Sequence, residues 1–409
     1  MLASLRDCRF PAEIVLLLAL CIFLPLVEAP KNLAWLSYVL LWLANRLRTR
    51  DFGGRWDGWD TLFAAWIASG YLAAAFAGLH HNEWRGTGDL VRYASIGWLM
   101  KRGGYSDKEL GWVLAALVAS TVAGLAFGYW RLWSGAAKSG TLQLYSVGHV
   151  NHTAIYIAIM LGLCASWIFA RWRAWRPRYR AFALAIGVLV LVALMKTASR
   201  GAIGVGLAML MVIGAAWWPR WRLALPASAV AVCLTLAASI EFKVEVVQKQ
   251  EQQVAAGNVL SYRDGIWNMA LVTWQRYPWF GVGMDNYSRI NHELVRQWHD
   301  ELGKPYEKSR FIQFPHAHNL YVNTLAERGI VGFGILAAVL TTWFAWLVRK
   351  WPPPSGDDFD WLCWGAATGA WIATVAIGTV NTTLHHEHGI LAMLLLGLWL
   401  SRLQQRRAS

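Results

Sequence analysis

The sequence is poor in charged residues, and acidic residues are the scarcer kind. Only 15% of the 409 residues are charged, and 24 aspartates and glutamates stand against 38 lysines and arginines, for a formal net charge of +14. Hydrophobic residues make up 56% of the chain. A soluble domain usually carries more charge, about a quarter of its residues. Because long apolar runs recur, and about 20 apolar residues span the hydrocarbon core of a bilayer, we predict an all-α, polytopic integral membrane protein.

Paired cysteines and complete glycine motifs are also missing. The five cysteines are Cys8, Cys21, Cys164, Cys233 and Cys363. They show no paired spacing, which argues against a disulfide framework and a thiolate metal site, and we expect them to be small buried hydrophobes. The stretch "YPWFGVGMDN" has Gly281 and Gly283 but no third glycine at the dinucleotide spacing, so it predicts a turn. The sequence predicts no cofactor.

The apolar runs predict about twelve membrane-spanning helices. Their approximate bounds are 12–28, 32–47, 60–80, 88–101, 109–130, 150–170, 180–196, 201–218, 222–241, 317–348, 360–380 and 384–401. The tenth run is too long for one crossing, and it contains Arg328. We therefore expect its first part to lie at or above the membrane interface and the crossing to begin at Gly329.

The basic residues are concentrated on one side of the predicted membrane domain. Twelve crossings place both termini on the same side, and the connectors on that side include "NRLRTRDFGGRWDG", "RWRAWRPRYR" and the tail "RLQQRRAS". Lysines and arginines in short loops mark the cytoplasmic side of a membrane. Membrane topology thus explains most of the positive charge, and we expect no nucleic-acid partner.

One connector, residues 242–316, is much longer and more polar than the others. It falls on the non-cytoplasmic side and contains two helix-like stretches, "SYRDGIWNMALVTWQR" and "NYSRINHELVRQWHDEL". Connectors of this length are usually functional or disordered, and the amphipathic pattern favours helices that lie on the membrane domain. The chain therefore divides into nine spans in residues 1–241, this loop, and three spans with a short cytoplasmic tail in residues 317–409.

Two arginines on the predicted outer face are candidate anion ligands. "MKTASRG" joins the seventh and eighth spans and carries Lys196 and Arg200. Such charges commonly anchor helix ends by snorkelling, but small neighbours such as Ser199 let an anion approach the guanidinium. Arg263 follows Ser261, a predicted helix cap. It is either a surface arginine paired with nearby carboxylates or a second clamp for a diphosphate.

The stretch "FPHAHNLYVN" places two histidines where an apolar helix is about to begin. Pro315 disfavours helix at the residue before it, so we predict a helix that begins near His316–Asn319. His316 and His318 would face different ways if both were helical. They are either interfacial histidines with local hydrogen bonds or proton acceptors, since a histidine with a pKa of about 6.5 is suited to accept a proton near neutral pH.

Three further polar clusters have weaker signals. Arg85 in "HHNEWRG" could extend a basic patch. His385, His386 and His388 in "NTTLHHEHG" could bind a metal, yet their spacing matches no zinc signature. We therefore predict no metal site there and expect pH-sensitive packing instead. "DDFD", which begins at Asp357, is explained by capping of the following helix.

These motifs resemble the membrane family that includes O-antigen ligases (WaaL type) and O-antigen polymerases. The resemblance rests on "TASRG", on "SYRDGIW" followed by "YPWFGVG", and on "HAHNLYVNTLAERG", in this order and on one predicted face. It implies transfer of a glycan from undecaprenyl diphosphate to lipid A–core oligosaccharide at the periplasmic face of a Gram-negative inner membrane.

Residue by residue, the resemblance implies that Arg200 and Arg263 hold the donor diphosphate and that His318 is the catalytic base. The candidate substrate-binding residues are Lys196, Ser199, His316, Asn319, Tyr321 and Arg85. A positioned base contributes about 10²- to 10⁴-fold to the rate, and fixed arginines can stabilise charge on the departing phosphates. We therefore expect an inverting, metal-independent single displacement.

Two other functions remain open on the sequence. An O-antigen polymerase uses the same donor, and the local motifs do not separate it from a ligase. A lipid-linked glycan transporter would need polar groups near the middle of the bilayer, whereas the ionisable residues here cluster at one face. The partners we expect are the lipid-linked donor, the lipid A–core acceptor and membrane lipids, and the sequence does not indicate an oligomeric state.

Overall fold

The computed structural model describes residues 9–136, 140–217, 263–353 and 355–408. Within these ranges the regular structure is helical, without a strand. The helices are α1 (Pro11–Phe23), α2 (Glu28–Thr49), α3 (Gly58–Ala75), α4 (Glu83–Arg102), α5 (Asp107–Trp133), α6 (Val150–Arg171), α7 (Pro177–Lys196), α8 (Arg200–Trp217), α9 (Arg263–Arg276), α10 (His292–Glu301), α11 (Leu320–Arg349), α12 (Asp358–Ile372) and α13 (His386–Ala408). Tyr287–Arg289 and Lys308–Arg310 form 3₁₀ turns, and a π-helical segment, Ala373–Ile377, extends α12.

A helix overlaps each predicted span that lies in the described residues, and the span at 222–241 lies outside them. Five of the described helices, α5, α6, α7, α8 and α11, are both long and apolar enough to cross a membrane. The all-α prediction is confirmed for the described residues, while the total of about twelve crossings stays a prediction.

Helix α6 lies at the centre of the helical bundle. It packs against α7, α8, α12 and α13, and nearly all of its side chains from Thr153 to Ser166 are buried. A helix that is apolar on every face is stable only when other helices surround it. The buried position of α6 follows from its sequence, and it brings the polar N-terminus of this helix into the interior.

Helix α11 is interrupted at Gly329, where φ is 58° and ψ is −163°. The turn that precedes the 3₁₀ segment at Tyr287 lies against this break. The amides of Val282 and Gly283 donate to the carbonyls of residues 326 and 327, at 2.9 and 3.0 Å, and the amides of Ile330 and Val331 donate to the carbonyls of residues 278 and 279. The turn therefore satisfies the backbone groups that the interruption releases. The break lies where we expected the membrane crossing to begin.

The described part of the long connector contains the two predicted helices, as α9 and α10. The predicted cap Ser261 lies outside the described residues, as do Cys8 and Cys233. The cysteines within the described residues, Cys21, Cys164 and Cys363, are buried and free, as predicted.

The stretch "DDFD" lies at the start of α12, as predicted, with Asp358 and Asp360 in its first turn. Asp357 occupies the N-cap position of α12, but its side chain makes no capping hydrogen bond. Instead, Asp357 and Asp360 form ion pairs with Arg402 at 2.9 and 2.8 Å. Because Arg402 lies on α13, these carboxylates join two helices at the end of the bundle where the C-terminal part of α13 lies.

Candidate functional site

A cavity of about 570 Å³ opens between segments that are far apart in the sequence. Its walls come from the start of α6, the α7–α8 linker, α9, the segment before α11 and the segment after the π-helical turn. The lining residues are His149, Asn151, His152, Ala198, Ser199, Arg200, Gly201, Arg263, Ile266, Phe314, His316, His318, Val380 and Asn381. None of these described residues is acidic, so the cavity is suited to an anion.

The α7–α8 linker presents Ser199 and Arg200 to the cavity. Ala198 has a φ of 51°, which non-glycine residues rarely adopt, and this conformation lets a three-residue linker reverse the chain. Helix α8 then begins at Arg200. The positive end of the helix dipole and the guanidinium therefore lie at the same wall, an arrangement that favours a bound anion.

Arg263 reaches the same cavity from α9. Burial lowers the pKa of its guanidinium, and the positive charge of Arg200 lowers it further. Both arginines line the same cavity, so their two charges repel each other. Two guanidinium groups that meet in a cavity without an acidic lining residue are stabilised when an anionic ligand binds between them.

His316 and His318 lie side by side at the cavity, with ring centroids 4.2 Å apart. Helix α11 begins only at Leu320, so neither residue is helical and the two rings are not forced to different faces. His318 has a φ of 48°. Backbone strain of this kind costs about 1–3 kcal/mol and clusters at functional sites.

The imidazoles of both residues are easier to keep neutral than an ordinary histidine. Burial, together with the neighbouring His316 and Arg263, lowers the pKa of His318 to about 3, and a hydrogen bond with Asn381 opposes the change. Burial lowers the pKa of His316 to about 4. At neutral pH His318 is therefore unprotonated and can accept a proton.

Asn319 and Tyr321, which we predicted to bind substrate, lie outside the cavity lining. The Asn319 side chain caps α11 by accepting from the amides of Tyr321 and Val322, and it donates to the carbonyl of Thr379 at 2.9 Å. The Tyr321 hydroxyl donates to the carbonyl of Val375 at 2.9 Å. Both side chains thus attach the start of α11 to the segment that carries Asn381.

Of the other residues that we predicted to bind substrate, one lines the cavity and two do not. Ser199 lines the cavity beside Arg200. Lys196 ends α7 outside the lining, and its carbonyl accepts from the amide of Leu142 at 3.1 Å. Arg85 is exposed on α4 and is not among the lining residues.

Four lining residues were not singled out from the sequence. His149, Asn151 and His152 lie at the start of α6, and Asn381 follows the π-helical turn. The stretch "GHVNHT" just before an apolar run was a usable signal, since it has the same form as "FPHAHN" before α11. His152 also has ring nitrogens close to those of His385 and His386, all within 4.8 Å of one another, which is close enough for one metal ion to bind all three.

Comparison with known proteins finds that the central part of the chain is similar to one family. Residues 185–337 match the family described as "O-Antigen ligase", which confirms the resemblance seen in the motifs. A stretch of 91 residues is 29% identical to a protein of Haemophilus influenzae named "Uncharacterized protein", and it covers 22% of this chain and 21% of that protein. The matched segment is thus about a fifth of that relative's length. The long apolar helices indicate a membrane protein, and its central part is similar to the O-antigen ligase family.

Proposed function

We propose that this protein is an O-antigen ligase, which transfers a glycan from undecaprenyl diphosphate to lipid A–core oligosaccharide at the periplasmic face of a Gram-negative inner membrane. The O-antigen ligase match over residues 185–337 supports the donor chemistry. The observation that carries the proposal is that Arg200, Arg263 and His318 line one cavity in which no described lining residue is acidic.

The donor diphosphate binds between the two guanidinium groups. Guanidinium forks match phosphate oxygens and remain charged at any working pH. Arg200 adds the positive end of α8 to its own charge. Because these charges are fixed in place before the reaction, they stabilise the negative charge that grows on the leaving phosphate. The cavity volume of about 570 Å³ is within the range of small-molecule sites, so it can hold the diphosphate and the first sugar.

The reaction is a single displacement at the anomeric carbon. A hydroxyl oxygen of the acceptor sugar forms the new bond to that carbon, and the bond between the carbon and the diphosphate oxygen breaks with inversion. His318 accepts the hydroxyl proton, and undecaprenyl diphosphate leaves with the bonding electrons. A neutral imidazole is needed at the start of this step, and the lowered pKa of His318 keeps it neutral.

The decisive experiment is transfer by purified protein in liposomes that contain the lipid-linked donor and lipid A–core. We expect His318→Ala to lower kcat by about 10²- to 10⁴-fold, the usual contribution of a positioned base. His80→Ala is the matched control, because that imidazole is largely exposed and lies outside the cavity lining. Full transfer by His318→Ala protein would remove the base from the proposal.

The same liposomes separate a ligase from a polymerase. With lipid A–core present, a ligase joins the glycan to it, and with donor alone it forms no longer chain. Extension of the lipid-linked glycan in the absence of lipid A–core would instead assign a polymerase. We expect transfer to continue in excess EDTA, because the arginines hold the diphosphate without a metal.

A further inference from the structure

Three histidines form a compact group beside the cavity. His152 comes from α6 and lines the cavity, His385 directly precedes α13, and His386 is the first residue of α13. The ring centroids of His152 and His386 are 4.7 Å apart, and those of His385 and His386 are 3.9 Å apart. Each residue has a ring nitrogen within 4.8 Å of a nitrogen of the other two. We refer to these residues as the histidine group.

The histidine group contains buried nitrogen atoms that lack a hydrogen-bond partner among the described residues. These atoms are the Nδ1 atoms of His152 and His385. A buried polar atom left in this state costs about 1–3 kcal/mol, and native structures contain few of them. His152 is only 8% exposed, so bulk water does not remove this cost. A ligand that accepts lone pairs from several imidazoles would remove it.

The chain holds the histidine group in place despite backbone strain. Leu384 and His386 have φ values of 54° and 46°, which are unusual for non-glycine residues. The amide of His386 donates to the hydroxyl of Tyr93 at 2.8 Å, and the adjacent Glu387 forms a buried ion pair with Lys31. These contacts fix the turn that directs two imidazoles towards α6.

The surroundings favour entry of a cation from one side. His385 and His386 also line a second cavity, of about 280 Å³, which contains Asp89, Asp285 and Glu327. Arg328 is the one arginine among its described lining residues. Burial raises the pKa of Glu327 to about 8, so this carboxyl group is neutral at pH 7. Asp89 and Asp285 still make this cavity more favourable for a cation than the larger cavity, which two arginines line. The histidine group lies in the wall between the two cavities.

The sequence spacing alone predicts no metal at His385 and His386, but the approach of His152 changes this interpretation. We propose that His152, His385 and His386 bind one divalent transition-metal ion of the kind that prefers imidazole, with Zn²⁺ as the representative. Zinc binds imidazole nitrogens at about 2.0–2.1 Å, so tetrahedral ligands lie about 3.3 Å apart. The nitrogens of the histidine group lie within 4.8 Å of one another, so binding requires each pair to close by at most roughly 1.5 Å to reach this tetrahedral separation. The bound ion joins α6 to α13 and takes no part in holding the diphosphate, which is the role of the arginines.

The test measures Zn²⁺ binding to the full-length protein in detergent, without a polyhistidine tag and without donor or acceptor. We expect one ion per chain by equilibrium dialysis with metal analysis. We expect at least tenfold weaker binding in His152→Ala and His385→Ala, and unchanged binding in His80→Ala, whose imidazole is exposed. Zn²⁺ should raise the Tm of the wild type and of the control, but not that of the two variants.

His386→Ala serves as the third variant if the buried substitutions prevent folding, because the His386 side chain is exposed and its loss leaves the core intact. Zn²⁺ binding that survives in all three variants, or a wild type that binds no Zn²⁺ at about 10 μM free ion, would overturn the proposal. Since no transfer is measured, either result leaves the proposed ligase activity untouched, and a loss of transfer leaves the metal site untouched.

Discussion

Arg200 and Arg263 present planar forked donors to one cavity, and lysine cannot reproduce this geometry. We expect Arg200→Lys and Arg263→Lys each to lower kcat/KM for the donor by roughly 10- to 100-fold, since a hydrogen bond to a charged group is worth about 1.5–3 kcal/mol. Initial rates of transfer at varied donor concentration measure this effect. Arg296→Lys, on the exposed side of α10, is the matched control and should behave as wild type. Wild-type kinetics in both cavity variants would contradict the diphosphate clamp.

The lowered pKa of His318 predicts an unusual pH dependence. Burial and the neighbouring positive charge disfavour the imidazolium form, so the free enzyme keeps its base neutral well below the ordinary histidine pKa. We expect kcat/KM to stay level from about pH 7.5 to about pH 6, below the reference value of about 6.5. A bound diphosphate favours the imidazolium, so the acid limb of kcat should lie at higher pH than that of kcat/KM.

The pH dependence of kcat and of kcat/KM, measured for wild type and His318→Gln, tests whether the acid limb of kcat lies at the higher pH. The residual activity of the variant should lack the acid limb that belongs to His318. If kcat/KM of the wild type already falls by half near pH 6.5, the imidazole is not shielded as the structure indicates.

For individual residues, the sequence indicated those that stand out within a short stretch of chain. Arg200, Arg263 and His318 lie in short polar stretches next to apolar runs, and the structure brings all three to one cavity. The sequence could not reveal His152 as a neighbour of His385, because that contact depends on how α6 packs against α13. The side-chain amide of Asn319 could serve equally well to bind a ligand or to cap a helix, and the sequence does not distinguish the two. The structure shows that it caps α11 and donates to the carbonyl of Thr379.

The interruption of α11 depends on the close approach of two backbones at Gly329. A Cβ atom there would lie 2.3 Å from the backbone of Trp279, and the φ of 58° is itself unfavourable for other residues. We expect Gly329→Ala to reduce the free energy of unfolding by about 1–3 kcal/mol or more. Gly334→Ala is the control in the same helix, because its Cβ would meet open space and alanine favours helix.

Thermal unfolding in one detergent compares the two variants. The Tm should fall for Gly329→Ala and should stay level or rise for Gly334→Ala. A Tm unchanged by Gly329→Ala would mean that the turn and the break are not held together in solution.

The helices themselves were largely predictable, because apolar runs and polar ends are local features. The break was predictable in part. The long run with Arg328 inside it predicted that the crossing begins at Gly329, and the structure interrupts the helix at that residue. The hydrogen bonds between the "YPWFGVG" turn and the interrupted helix were not predictable. Nothing in the sequence of this turn indicates that its backbone pairs with residues 326–331.

The orientation of the whole molecule in the membrane remains a prediction from its arginine distribution. Ser309 is exposed in the long connector, and Thr49 is exposed at the end of α2. We expect Ser309→Cys to react with a membrane-impermeant maleimide in intact spheroplasts, and Thr49→Cys to react only after the membrane is disrupted. Cys8 and Cys233 are replaced by serine in both proteins, while the three buried cysteines remain. The reverse labelling pattern would place the cavity in the cytoplasm, where lipid A–core ligation could not occur as proposed.

The cavity wall is built from segments that are far apart in the sequence, and this limits which segments of the protein can be exchanged. One arginine belongs to the α7–α8 linker and the other to α9, and the candidate base belongs to the segment before α11. Exchanging the long connector with that of a relative would therefore replace Arg263, one of the two arginines that we propose to bind the diphosphate. A functional chimera would need its first junction placed after Arg263. Arg200 and Arg263 would then both come from this protein, and their positions would remain matched to each other.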